Sequence, residues 1–174
     1  MVLVDCLHEA GLPPGAVNLV AGETAATYGP IMASPLVRKV SLTGSTAVGQ
    51  QMIRDAAQTF KRTTMELGGN APVIVFDDVN LDKILDLCVP VKYANAGQVC
   101  VTGDRFYVHE SLHKDFVAGF AARAKALKLG HGLEESTQMG PLINQRRIDA
   151  MEEIVADAER RGGRIEAGGG RPKG

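Results

Sequence analysis

The chain has 174 residues, of which 45% are hydrophobic and 22% are charged, and its formal net charge is −1. A balanced charge without a basic patch argues against a nucleic-acid or anionic-membrane partner. No apolar run approaches the length of a membrane span. Three cysteines without a CxxC pair and four scattered histidines predict neither a disulfide framework nor a metal site, and they agree with a reducing cytoplasm.

Helical and extended patterns alternate through the first part of the chain. The predicted elements are a helix over 2–10, a strand over 17–20, a helix over 23–33, a strand over 37–42, a helix over 46–58 and a strand over 63–67. Strands that alternate with helices of this length indicate βαβ units and a parallel sheet. The predicted fold class is therefore α/β.

The second part continues with longer helices and Asx or Ser caps. The predicted elements are a strand over 72–76, a helix over 80–94 capped by Asp or Asn, a strand over 105–109, a helix over 112–128 capped by Ser111, a helix over 145–161 capped by Asn144, and a strand over 164–167. The tail GGGRPKG predicts a mobile end. A domain boundary is expected near residue 69, which gives domains of 1–68 and 69–174.

A glycine-containing turn lies between a predicted strand and a predicted helix, at Gly44–Gly49 (GSTAVG). Such a turn lets backbone N–H groups and a helix N-terminus approach a phosphate. The spacing Gly-x-x-x-x-Gly differs from the Rossmann Gly-x-Gly-x-x-Gly. An ordinary turn with Ser45 or Thr46 as the helix N-cap stays open as the alternative.

A single carboxylate ends the next strand, in the segment MELGGN at 65–70. Glycines after it permit a close approach of backbone to a ligand. Because Glu66 ends an otherwise apolar strand, we expect it to be partly desolvated, which would suit a general base. The alternative is a solvated glutamate at a strand end.

The three cysteines differ in their surroundings. Cys6 and Cys88 lie in apolar helical patterns, which predicts small core residues for both. Cys100 instead ends the polar loop NAGQVC, where nearby backbone N–H groups could hold a thiolate. From the loop alone, a nucleophile and a structural cysteine stay equally open.

In this order, the three segments VRKVSLTGSTAVG, MELGGN and NAGQVC resemble the aldehyde dehydrogenase superfamily. They are similar to its cofactor turn, its general-base segment and its catalytic cysteine loop. Glu66 and Cys100 lie 34 residues apart, which suits the family pattern. The segments AGLPPGAVNLVAG, FDDVNLD, RFYVHE and STQMGPLIN also look like this family, so the resemblance covers nearly the whole chain.

The resemblance implies a Rossmann-type parallel cofactor sheet in 1–68, joined to part of an α/β catalytic domain in 69–174. It implies oxidation of an aldehyde to a carboxylic acid with NAD or NADP. Cys100 would attack the aldehyde, and hydride transfer would leave a thioester. Glu66 would activate the water that hydrolyses it.

The resemblance also assigns the cofactor site and the partners. Gly44, Ser45 and Gly49 would form the cofactor turn, the Leu67 backbone would contact the nicotinamide, and Gly68 would leave room for it. The partners implied are a small aldehyde and other copies of the subunit, in a dimer or a tetramer.

LGGNAPVIVFDD and RFYVHE look most like the succinate-semialdehyde dehydrogenase branch. That branch usually has an arginine six residues before the cysteine, where this chain has Ala94, and a second cysteine where it has Thr102. Loss of the arginine removes a charge-assisted contact to a substrate carboxylate. The expected substrate is succinate semialdehyde or a related semialdehyde, and a less charged aliphatic aldehyde stays open because Ala94 replaces the arginine.

A family subunit is much longer than this chain, so the resemblance implies an internal fragment that is inactive alone and leaves some apolar faces exposed. Two functions stay open: a fragment of an oxidising aldehyde dehydrogenase, or a non-catalytic α/β module for binding or assembly. A natural reading frame confined to these residues would favour the module.

Overall fold

A computed structural model describes residues 1–172. Its elements are α1 (Val2–Glu9), α2 (Thr24–Ala33), β1 (Lys39–Gly44), α3 (Thr46–Ala57), β2 (Arg62–Leu67), β3 (Ala71–Val75), α4 (Leu81–Tyr93), a short 3-10 segment (Ala94–Gly97), β4 (Gly103–Val108), α5 (Glu110–Lys125) and α6 (Gln145–Arg160). Two compact units result, Met1–Gly68 and Gly69–Gly174. None of the helices in residues 1–172 is long and apolar enough to cross a membrane.

The first unit contains a parallel βαβ motif, in which α3 connects β1 to β2. Its small core consists of Met32, Val40 and Ala56, with Met52 packed against it. Lys61 is also buried, and its ammonium donates to the carbonyl oxygens of Ser34 at 2.6 Å and Val37 at 3.0 Å. Ser34 is the C-cap of α2, so the cation lies at the negative end of that helix.

The second unit repeats the same motif, because α4 connects the parallel strands β3 and β4. Val75, Leu85 and Phe116 form its core, and Phe106 and Phe120 pack around them. The parallel sheet predicted for the first part of the chain is thus confirmed, and the second unit adds a parallel pair that was not predicted. Asn80 and Asn144 cap α4 and α6 as predicted, each accepting a backbone N–H through its side chain at 3.0 Å.

Two predicted strands are wrong. Residues 17–20 and 164–167 are irregular, and within residues 1–172 neither segment pairs with another. An apolar run becomes a strand only when a neighbouring strand completes its hydrogen bonds. The predicted mobile tail includes Lys173 and Gly174, which lie outside the described residues.

Two smaller predictions also need correction. α5 begins at Glu110, and the cap is His109 rather than Ser111, because the His109 ring nitrogen accepts from the Ser111 backbone N–H at 3.4 Å. Cys6 is exposed, since α1 buries none of its residues, whereas Cys88 is half-buried and its pKa is raised by burial. As expected, some apolar side chains are exposed, including Ile74 and Phe76.

Candidate active site

The first unit gathers its candidate residues at one edge of the sheet. β1 and β2 are parallel, with Thr43 paired to Glu66 and Gly44 paired to Leu67. The carboxyl ends of both strands therefore lie side by side, and α3 begins at that edge. Ligands of open α/β sheets bind in the crevice outside the carboxyl ends of the strands.

Ser45 caps α3 at this edge. Its side-chain oxygen accepts from the Val48 N–H at 3.3 Å, so the proposed alternative of an N-cap is correct as a local description. Helix geometry leaves the N–H groups of Thr46 and Ala47 without partners inside the helix. The Ser45 hydroxyl keeps its own proton available for donation. An exposed turn with these donors has the chemistry of an anion site.

Two glycines of the candidate cofactor site, Gly49 and Gly68, differ in their surroundings. Gly49 is buried, and a Cβ there would lie 2.7 Å from Cδ2 of Leu67, so its missing side chain allows α3 to pack on β2. A Cβ on Gly68 would meet nothing within 4 Å. Gly49 thus has a packing role, whereas the backbone at Gly68 borders open space that a planar ring could enter.

Glu66 is exposed, which contradicts the expected partial desolvation. Side chains alternate between the faces of a strand. Met65 and Leu67 are half-buried, and Leu67 packs against α3 at Gly49, so Glu66 points to the opposite face. No element of the first unit covers that face at Glu66.

In the second unit, Cys100 lies in an exposed turn between α4 and β4. Thr102 anchors the turn: it is 2% exposed, its N–H donates to the Val99 carbonyl at 3.1 Å, and its hydroxyl donates to the Val91 carbonyl at 2.9 Å. Threonine at this position therefore fastens the cysteine turn to the end of α4. The thiol stays accessible while its backbone is tied down.

The residues before Cys100 have unusual backbone geometry. Asn95 and Ala96 have φ of 49° and 55°, and Gly97 has φ of 77°. Gln98 follows, and its amide nitrogen donates to the Asn95 carbonyl at 3.0 Å. A left-handed backbone conformation is unfavourable for a residue other than glycine, and it persists only where surrounding contacts stabilise it.

The end of the MELGGN segment lies beside this loop. A Cβ on Gly69 would be 3.8 Å from the Cys100 carbonyl oxygen. Arg105 donates to the Asn70 carbonyl from Nε at 3.1 Å and from Nη2 at 2.6 Å. Ala71, the first residue of β3, pairs with Gly103, the first residue of β4. The MELGGN segment and the cysteine loop therefore lead into neighbouring strands at the same edge of the sheet.

The structure thus brings Gly44, Ser45, Glu66, Leu67 and Gly68 to one edge of the first unit, and it places Cys100 in a fastened loop of the second. Gly49 lies in α3, where its missing side chain lets the helix pack against Leu67 next to this edge.

The sequence alone did not predict a role for three residues of the second unit. Gln98 and Thr102 hold the cysteine loop, and Arg105 holds the chain at Asn70, just before β3. The only available signal was polar residues inside or beside the motifs. Within residues 1–172, no group of three or more His, Cys, Asp or Glu side chains is arranged to hold a metal ion.

The class of protein defined by these features is an α/β protein built from parallel βαβ units, with an exposed glycine turn in one unit and an anchored cysteine loop in the other. The profile of the Aldehyde dehydrogenase family matches residues 1–174, and the chain belongs to that family.

Several proteins are similar to this chain in sequence or in fold. The chain is 41% identical to a glutarate-semialdehyde dehydrogenase of Pseudomonas putida and 39% identical to the NADP(+) succinate-semialdehyde dehydrogenase of Escherichia coli, and each match covers 97% of this chain. The crystal structure of a Staphylococcus aureus betaine aldehyde dehydrogenase with NAD+ superposes with a TM-score of 0.94 at 32% identity, over 99% of this chain and 34% of that one. The chain spans 35% of the length of the two semialdehyde dehydrogenases.

Proposed function

We propose that the protein carrying this chain oxidises an aldehyde to a carboxylic acid, with Cys100 as the nucleophile and Glu66 as the general base. The observation that carries the proposal is the placement of Cys100, an exposed thiol on a turn whose backbone is fastened through Thr102. Family membership over residues 1–174 supports the reaction class. The units Met1–Gly68 and Gly69–Gly174 would contribute to the cofactor domain and the catalytic domain.

Cysteine suits the first step because a thiolate is a strong nucleophile near neutral pH. Its sulfur forms a bond to the aldehyde carbon and gives a thiohemiacetal whose oxyanion the Cys100 backbone N–H can stabilise. Departure of the hydride from that carbon leaves a thioester. Glu66 then removes a proton from water, the hydroxide adds to the thioester, and the carbon–sulfur bond breaks to release the acid and the thiolate.

The residues of the first unit fit NAD or NADP. The Ser45 hydroxyl and the free N–H groups at the start of α3 would hold the pyrophosphate, and the open space at Gly68 would admit the nicotinamide beside the Leu67 backbone. When bound, this cofactor accepts the hydride. One relative is named for NADP(+) and another was solved with NAD+, which supports either cofactor, and the experiment below compares the two.

For the substrate, we propose succinate semialdehyde or a related semialdehyde. The relatives are named for glutarate and succinate semialdehydes, which supports an aldehyde with a second functional group. Ala94 offers no charge to a carboxylate, so another residue of the complete protein would have to bind one. We further propose a homo-oligomeric assembly, and we expect the 174-residue chain to be inactive alone. Localisation in the cytoplasm stays a prediction.

The test uses the full-length natural protein with a panel of aldehydes and with NAD and NADP. Cys100→Ser should lower turnover at least about 1000-fold, because the nucleophile is lost. Cys6→Ser is the matched control, since Cys6 is also exposed, and it should retain activity. Glu66→Gln should give a first-turnover burst of reduced cofactor, followed by steady-state turnover about 100-fold lower. Undiminished oxidation by Cys100→Ser would refute the proposal and favour a non-catalytic role for this chain.

A further inference from the structure

The side chain of Gln98 connects the cysteine loop to a distant segment. Its Oε1 accepts from the Ile143 backbone N–H at 3.3 Å, across 45 residues of sequence, and its Nε2 donates to the Asn95 carbonyl at 3.0 Å. Ile143 immediately precedes Asn144, the N-cap of α6. One amide therefore fixes the loop both to itself and to the beginning of α6.

The contacts within the loop are reciprocal. The Asn95 side chain donates to the Gln98 carbonyl at 3.2 Å, and the Gln98 backbone N–H donates to the Asn95 carbonyl at 3.1 Å. Between these two residues, the chain passes through Ala96 and Gly97, both with positive φ. A left-handed alanine persists only where neighbouring contacts define its conformation. Gln98 supplies three of those contacts with its backbone and side-chain amides.

Cys100 lies between two anchors. On one side is Gln98, tied to Asn95 and Ile143, and on the other is Thr102, tied to Val91. Neither anchor uses the thiol, which is exposed. This is the arrangement expected where a reacting atom must be free while its backbone is held to a fraction of an ångström.

We propose that Gln98 is a positioning residue for the Cys100 nucleophile. The inference rests on the proposed function and extends it, because it assigns the orientation of the thiol to one amide and its hydrogen bonds to Asn95 and Ile143. Gln98 does not take part in the bond changes. Its effect on the reaction comes through the backbone that carries the sulfur.

The test replaces Gln98 in the full-length protein in two ways. Gln98→Met keeps the length of the side chain and removes both side-chain hydrogen bonds, so kcat should fall about 100-fold, as expected for a misplaced reacting group. The KM for the aldehyde should change less than about 3-fold, because the residues that bind the substrate are unchanged. Gln98→Glu keeps an acceptor for the Ile143 N–H and should recover part of the lost kcat.

Two further measurements separate positioning from general destabilisation. Alkylation of Cys100 by iodoacetamide needs no substrate geometry, so its rate should stay within about 3-fold of wild type in Gln98→Met. Amide hydrogen exchange over residues 98–102 should become faster. The matched control is Gln138→Ala, which removes another glutamine contact, in which Oε1 accepts from the Lys128 N–H at 2.9 Å. This control should leave kcat and exchange over 98–102 unchanged.

The outcomes are distinct. A kcat for Gln98→Met within about 3-fold of wild type would overturn the inference, as would an equal loss in Gln138→Ala. A kcat that falls only in proportion to the fraction of folded protein would also overturn it. Activity that survives Cys100→Ser would instead refute the proposed function, and the exchange measurement would still report whether Gln98 holds the loop.

Discussion

Gly49→Ala tests whether the close contact between α3 and β2 requires a residue without a side chain. The new Cβ would lie 2.7 Å from Cδ2 and 3.2 Å from Cδ1 of Leu67, so both methyl groups would have to move. Overpacking of this kind costs about 1–3 kcal/mol. Exchange of glycine for alanine inside a helix returns about 1 kcal/mol. We therefore expect a net change between zero and about 2 kcal/mol of destabilisation.

The matched control is Gly29→Ala. Gly29 lies inside α2, and a Cβ there would meet nothing within 4 Å. This variant should gain at most about 1 kcal/mol from helix propensity, because the ring of Pro30 disfavours a helical residue with a Cβ directly before it. Neither site has a second side chain that the new methyl group could replace, so the two variants differ in the Leu67 overlap at Gly49 and in the Pro30 ring beside Gly29.

The assay is denaturant unfolding of the full-length protein, followed by binding of NAD and NADP to the folded variants. Leu67→Ala in the Gly49→Ala background should relieve the overlap and give a favourable coupling energy in a double-mutant cycle. A Gly49→Ala variant that is stabilised by the full propensity gain of about 1 kcal/mol would refute the packing argument. Displacement of α3 should also weaken dinucleotide binding, because Ser45 and the start of the helix form the proposed pyrophosphate site.

Two other predictions concern buried and paired side chains. Lys61→Met should destabilise the protein by about 1–3 kcal/mol, because two carbonyl groups lose a charged donor, whereas Lys39→Met, at an exposed site, should stay within about 0.5 kcal/mol in the same denaturation experiment. The Tyr28 hydroxyl donates to Asp55 at 2.6 Å, which raises the pKa of Tyr28 to about 12 and lowers the pKa of Asp55. The bond favours the neutral phenol, so its contribution should be constant from pH 6 to 9 and lost as the pH rises from about 10 to about 12. It favours the ionised carboxylate, so it should also be lost as the pH falls below about 3.8. The difference in Tm between wild type and Tyr28→Phe, measured across pH, checks both limits; a difference that stays constant at pH 12 would contradict the assignment.

The order of elements was predictable because local patterns and local capping agree. The sequence pattern predicts the ends of these helices and strands to within a residue or two where an Asn precedes the helix or a glycine follows the strand, as for α4 after Asn80 and β2 before Gly68. The strand predicted over 17–20 is absent, and the cause is not visible in any local sequence pattern. Its backbone needs a partner strand, and the described chain supplies none there.

The candidate site divides in the same way. The identities of Glu66 and Cys100 were visible as motifs, but their surroundings were not. The expected burial of Glu66 was wrong because Leu67, packed against Gly49, turns the glutamate to the other face of β2. The fixing of the Cys100 loop was invisible because the Ile143 contact of Gln98 spans 45 residues.

By itself, the sequence determined the parallel α/β class, the two glycine segments and the reactive residue types, since these depend on periodicity and on chemistry written into single residues. Tertiary structure alone decided which polar groups are buried and what holds them. Lys61 reads as one of several surface charges, yet it lies buried on two carbonyl groups at the end of α2. Thr102 reads as a substitution for a cysteine, yet its hydroxyl fastens the loop of Cys100 to α4. Burial depends on which distant segments pack together, and the order of residues along the chain does not show which segments those are.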